Sequence, residues 1–249
     1  MGGHLLDAGT PLVVCDPSAE ARRPLVERGA REAASAAEAA AQSDLVLAVV
    51  VDDAQVREAL TDAFAGARPG TVLAICASVR PDTCRELEAA GRELGLQVVD
   101  AALVRGERGA EEGRLVLYCG GDADAIAALG GACEPFAETV LCVGSIGSGQ
   151  VAKIANNVLL WACIRADVEA LRLGRALGVE PAALREAMAI GSGANRPLAE
   201  WGKHRLRWPQ KDLEVALALA QEVGVDAPLV AQLRALMAEL SVDDLAELL

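Results

Sequence analysis

The feature that most constrains this chain is a change of pattern at Gly144. Before it, short apolar runs alternate with stretches of helical periodicity. After it the strand patterns stop, and one long helical segment runs over residues 148–177 until Gly178 ends it. Strands separated by helices form a parallel sheet with both faces covered, because each parallel crossover needs a helix. A purely helical remainder cannot extend that sheet and must bury its own apolar faces. The pattern predicts a doubly wound α/β domain over residues 1–145 and an all-helical domain over 146–249.

Within the first domain the predicted strands are 12–16 (LVVCD), 44–51 (DLVLAVVV), 71–78 (TVLAICAS), 97–101, 114–119 and 139–143. The run 44–51 is almost wholly apolar, as a strand buried on both faces requires. Helices are predicted at 18–28, 35–42, 53–64, 81–94 and 122–129, with Ser18 as a cap and Pro81 in a first turn. The second domain reads as helices 148–177, 181–190, 196–205, 211–223, 227–240 and 243–248.

Composition narrows the possible partners. Of 249 residues 53% are apolar but only 2% aromatic, so the core must be built from Ala, Val and Leu. The net charge of −13 argues against nucleic acid or an anionic membrane as a partner. The longest apolar run, 45–51, is far too short to span a bilayer. Seven cysteines form no C-x-x-C pair and sit mostly in apolar runs, which reads as reduced, buried thiols of a cytoplasmic protein. No metal is expected.

The chemistry concentrates in 144–160, GSIGSGQVAKIANNVLL. A glycine-rich turn opens the long helix, and Ser148 can cap it through its hydroxyl. Lys153 and Asn157 are four apart and share one face. A lysine among Val151, Ile154, Ala155 and Val158 loses hydration, which lowers its pKa and lets it exchange a proton near neutral pH. The amide one turn on can orient a substrate oxygen. A lysine that merely solvates the helix surface is the plainer alternative.

The spacing G-x-x-G-x-G-x-x-x-K-x-x-x-N resembles the catalytic motif of the β-hydroxyacid dehydrogenase family, and similar stretches recur in order along nearly the whole chain. The resemblance implies a Rossmann-like domain followed by an all-α domain, Lys153 as general acid/base, and Asn157 on the substrate. Asp16, at a strand end, falls where an acidic residue holds the adenosine ribose and disfavours a 2′-phosphate, so NAD is expected over NADP. Ser78, in GTVLAICASVRP, falls on a cofactor-contacting Ser/Thr. Lys211, in Lys211-Asp212-Leu213, falls on a lysine beside the cofactor. Asp16 and Ser78 also read as ordinary turn residues. A homodimer through the helical domain is expected as well.

Two departures stand out. The family's substrate loop, Asp-Ala-Pro-Val-Ser-Gly-Gly, is here Asp100-Ala101-Ala102-Leu103-Val104-Arg105-Gly106. Arg105, with Gly106, could hold an anionic substrate bidentately in place of the missing Ser-Gly cradle. The chain also opens on MGGHLLDAG, which resembles the middle of the family's first helix, without the preceding strand and G-x-G-x-x-G turn. The expectation is a coding start further upstream, poor NAD binding, and a strand-wide gap of about 9–10 Å between 12–16 and 45–51. The helical domain looks short between 191 and 211. The leading reading is an NAD(P)-dependent oxidoreductase acting on a small hydroxyacid. The alternative is a catalytically silent, dimer-forming module of the same fold. An imine-reducing relative ranks third, since those enzymes usually replace the lysine.

Overall fold

The computed structural model describes residues 1–249, which divide into two compact units, Met1–Lys153 and Ile154–Leu249. The first holds α1 (Gly2–Asp7), β1 (Val13–Val14), α2 (Ala19–Val26), β2 (Arg31–Glu32), α3 (Ala36–Ala41), β3 (Leu45–Ala48) and α4 (Asp53–Gly66). It continues with β4 (Val72–Ile75), α5 (Pro81–Glu93), β5 (Gln97–Val104), α6 (Gly106–Glu111), β6 (Leu115–Gly120), α7 (Ala123–Cys133) and β7 (Ala137–Gly144). The helix α8 (Ser148–Ala176) starts in this unit. In the second unit follow α9 (Pro181–Ala189), α10 (Arg196–Ala199), α11 (Pro209–Glu222), α12 (Pro228–Ala238) and α13 (Val242–Ala246).

The strands form a five-stranded sheet ordered β3-β4-β5-β6-β7 and a separate parallel pair, β1-β2. Pairing is parallel except between β5 and β6. The link 105–114 is shorter than the dozen or so residues a parallel crossover takes, so β6 returns antiparallel. That link contains α6. Residues 12–16 and 45–51 do not pair with each other: Val13 and Val14 pair with Arg31 and Glu32. The sheet is interrupted at this point, as expected.

That interruption corrects the reading of 44–51 as a strand buried on both faces. β3 is an edge strand that ends at Ala48, and Val49 and Val51 are exposed. Leu12, Leu45 and Leu47 pack only partly buried against the core that contains Leu5.

Side chains alternate across the sheet because successive Cβ atoms in a strand point to opposite faces. Val72 and Ala74 of β4 join Val99, Leu117, Leu129 and Phe136 on one face. Leu73 and Ile75 join Val56, Leu60, Leu87 and Val98 on the other. Cys76, Cys84, Cys119 and Cys133 are buried within these layers, and burial pushes their thiols up. Cys15 and Cys142 are exposed, against expectation.

In the second unit Trp161, Ile164, Val168 and Leu171 recur at helical spacing on α8 and pack with Leu198, Leu213, Leu233 and Leu245. The helix read at 196–205 is only Arg196–Ala199, capped by Asn195. Gly202 (φ +81°) and Leu206 (φ +48°) adopt left-handed backbone that a continuing helix cannot contain. The units divide at Lys153–Ile154, inside α8, whereas the change of pattern places the boundary at 145/146. The first turn of α8 belongs to the sheet domain because it is hydrogen-bonded there. No helix is long and apolar enough to cross a membrane.

Phe136 is fully buried in a chain with two phenylalanines. Phe136→Ala should cost about 3–5 kcal/mol in urea unfolding with an unchanged m-value. A loss under about 1 kcal/mol would show that the site refills.

Candidate functional site

The site is built around the first turn of α8. Asp100 stands on β5 opposite Ile75 of β4 and Gly120 of β6, and Gly120 in turn lies opposite Gly144 at the end of β7. The Asp100 side chain is fully buried. One carboxylate oxygen accepts from the Gly147 amide at 2.5 Å, the other from the Gln150 amide at 2.9 Å. The helix start is therefore capped from a neighbouring strand. Ser148, read as the cap, is instead the first helical residue, and its amide donates to the Ser145 carbonyl at 3.0 Å.

An anion at a helix N-terminus satisfies first-turn donors and the helix dipole together. Burial still dominates here: it pushes the Asp100 carboxyl up to about 6, against the backbone hydrogen bonds that pull it down.

The glycines serve this close approach. Gly147 has φ +89°. A Cβ on Gly149 would collide with the Tyr118 carbonyl and stand 2.6 Å from Asp100 Oδ2. One on Gly120 would stand 2.6 Å from Asp100 Oδ1. The glycine-rich turn lets α8 sit directly on β6 and the carboxylate.

Gln150 is buried in the same turn. Its Nε2 donates to the Ala77 carbonyl at 2.9 Å, and its Oε1 accepts from the Val79 amide at 3.2 Å. Ser78, between these two buried residues, is exposed. Lys153 follows one turn along α8 and is half-buried. Asn157, another turn on, is buried, and its Oδ1 accepts from Asn156 Nδ2 at 3.2 Å.

The remaining candidates lie on other elements. Asp16 is exposed just beyond β1, and its Oδ1 accepts from the Ser18 amide at 2.8 Å. Nearby, Arg22 donates to Glu32 at 2.5 Å and to the Asp16 carbonyl. Lys211 is exposed in the first turn of α11. Its neighbours anchor that turn: Asp212 accepts from Trp161 Nε1 at 2.9 Å, and Leu213 is fully buried.

Arg105 has a left-handed backbone, φ +83°, and Gly106 has φ +62°. The Arg105 Nη1 donates to the Arg114 carbonyl at 3.0 Å and pairs with Glu138. This hydrogen bond holds the Glu138 carboxyl below its ordinary range, with help from Arg114. Arg105 thus already has a carboxylate partner on β7.

The structure brings the Ser78 turn, Asp100, Gln150 and the start of the Lys153 helix into one hydrogen-bonded network. Gln150, and the capping role of Asp100, escaped the reading of the sequence. The available signal was Asp100 itself, a lone carboxylate inside the apolar strand QVVDAALV, which must find buried donors.

Because its pKa is raised in the fold, Asp100 adds stability that is full below about pH 4 and lost as pH rises through about 6. Asp100→Asn removes this dependence. Wild-type stability relative to the variant should fall by roughly 3 kcal/mol from pH 4 to pH 7 in denaturant melts. A constant difference would show that the carboxyl titrates normally.

Two family models match the chain. Residues 1–144 match the NAD binding domain of 6-phosphogluconate dehydrogenase. Residues 147–247 match the NAD-binding domain of NADP-dependent 3-hydroxyisobutyrate dehydrogenase. An NAD-dependent L-serine dehydrogenase of Pseudomonas aeruginosa is 35% identical over 212 residues, 84% of this chain and 70% of that protein. A 3-hydroxyisobutyrate dehydrogenase of the same organism is 33% identical over 254 residues, 94% of this chain and 85% of that one. The solved structure of Mycobacterium tuberculosis 3-hydroxyisobutyrate dehydrogenase with L-serine superposes with a TM-score of 0.89. It is 24% identical, covers 99% of this chain and 94% of its own, and establishes the likeness of fold.

Proposed function

Given that the chain belongs to the β-hydroxyacid dehydrogenase family, we propose that it oxidises a small, anionic hydroxyacid with NAD, using Lys153 as the proton-transfer group. It is a nicotinamide-dependent dehydrogenase of the 3-hydroxyisobutyrate dehydrogenase type. The observation that carries the mechanistic reading is the placing of Lys153. It stands half-buried one turn beyond a helix start held by Asp100 and Gln150, with Asn157 one turn further along α8.

A bound nicotinamide supplies the two-electron acceptor or donor. Neutral Lys153 Nζ takes the hydroxyl proton as the C–H bond at the same carbon breaks; in reduction, protonated Nζ returns it to the forming alkoxide. The Asn157 amide orients that oxygen.

Asp16, Ser78 and Lys211 are the residues proposed to hold the cofactor. Asp16 offers an exposed carboxylate to ribose hydroxyls, and Glu32 occupies Arg22, the nearby cation that could otherwise greet a 2′-phosphate. These residues fit NAD better than NADP, in line with the name of the 35% identical relative. The named substrates of the relatives, L-serine and 3-hydroxyisobutyrate, are small carboxylates. Arg105, beside Gly106, is proposed to take such a carboxylate in exchange for Glu138. A homodimer through the helical unit is proposed too, because Leu159, Leu173 and Leu177 of that unit are exposed.

Lys153→Ala should lower kcat by about 100-fold or more while changing stability by less than about 1 kcal/mol. Wild-type kcat in this variant would refute the assignment. Arg105→Ala should raise KM for hydroxyacids at least tenfold and leave KM for neutral alcohols unchanged. Equal effects on both would remove Arg105 from the substrate site.

A further inference from the structure

We propose that Gln150 is a positioning residue: its carboxamide joins the Ser78 turn to the Lys153 helix and so sets the distance between the cofactor side of the site and the proton-transfer group. The inference rests on the reading of Lys153 and Ser78 given above. β4 ends at Ile75; Cys76 still donates to the Ala48 carbonyl, and no strand ladder serves 77–79. Yet Ala77 and Val79 are buried, at 3% and 4% exposure. A buried carbonyl and amide there need partners. Gln150 supplies both from one planar group, donating to Ala77 and accepting from Val79. Its own backbone amide is meanwhile held by Asp100.

Two strands thereby grip one residue of α8. Asp100 on β5 fixes the backbone of Gln150, and the extension of β4 is fixed by its side chain. Lys153 is three residues on, on nearly the same face of the helix. Ser78 lies between the two residues that Gln150 holds, and it alone of the three is exposed. A shift in this brace moves Ser78 and Lys153 relative to each other, and misplacement of about 1 Å costs on the order of 100-fold in rate.

Gln150→Met keeps the length of the side chain and removes both amide bonds. Hydrogen exchange over 77–80 should rise. With L-serine or 3-hydroxyisobutyrate and NAD, kcat per folded molecule should fall 10- to 100-fold, and KM for the hydroxyacid should change less than threefold. The isotope effect on kcat with substrate deuterated at the hydroxyl-bearing carbon should increase, a change that lost stability alone would not produce. Gln150→Glu serves if the methionine variant does not fold. A neutral carboxyl can donate to Ala77 and accept from Val79, whereas a carboxylate can only accept. Its rate relative to wild type should therefore rise as pH falls. Asp100, which accepts from the backbone amide of residue 150, disfavours a second carboxylate beside it and so moves this rise to higher pH; Cys84 of α5 and Asp53 of α4 are unchanged in the variant.

Raised exchange with wild-type kcat and isotope effect would overturn the positioning role. Unchanged exchange at 77–80 would overturn the brace itself. A wild-type rate in Lys153→Ala would refute the proposed function instead, and exchange at 77–80 would still report on the brace.

Discussion

The organisation of this chain depends on one buried carboxylate. A helix of 29 residues that starts against a sheet brings first-turn amides with no intrahelical partners out of reach of water. Left unpaired, each buried donor costs about 1–3 kcal/mol. Asp100 meets two of them from the middle of β5, and the glycines at 120 and 149 clear the space in which it can. The consequence reaches the chemistry directly: the register of α8 on β4 and β5, and hence the position of Lys153, follows from where Asp100 sits along its strand. It also explains why the division between the units lies within α8 rather than ahead of it.

Much of this architecture was legible in the sequence because it rests on local periodicity. The alternation of apolar runs and helices, the switch at Gly144 and the helix 148–176 needed only near neighbours along the chain. The motif also placed Lys153 and Asn157 on one helix. What escaped was set by partners distant in sequence. The choice between Ser148 and Asp100 as the cap depends on a strand almost fifty residues away. Whether 45–48 is a central or an edge strand depends on its neighbours and not on its own residues. The break after Ala199 depends on left-handed backbone at Gly202 and Leu206, and a leucine does not advertise such a conformation.

The departure at Arg105 has a structural counterpart. The family pattern carries glycine at this position, and the backbone here keeps the left-handed conformation that glycine adopts freely. An arginine in it carries strain of about 1–2 kcal/mol. The bond to the Arg114 carbonyl and the ion pair with Glu138 help to hold it there. A backbone conformation suited to glycine is thus held here around a large, charged side chain.

The interruption between β1 and β3 carries a consequence for behaviour in concentrated solution. Both strands are edges, and a strand edge is a template on which another chain can add a strand. Here the hazard is limited by length: β1 has two residues and β3 four, too few for a long intermolecular ladder. Asp16 follows the first, Asp44 precedes the second, and Asp52 and Asp53 follow it, so an incoming strand meets negative charge at the ends of both. A net charge of −13 adds repulsion between whole molecules at neutral pH. That protection fades toward the isoelectric point near pH 4.7, so this chain keeps best in neutral buffers of low ionic strength.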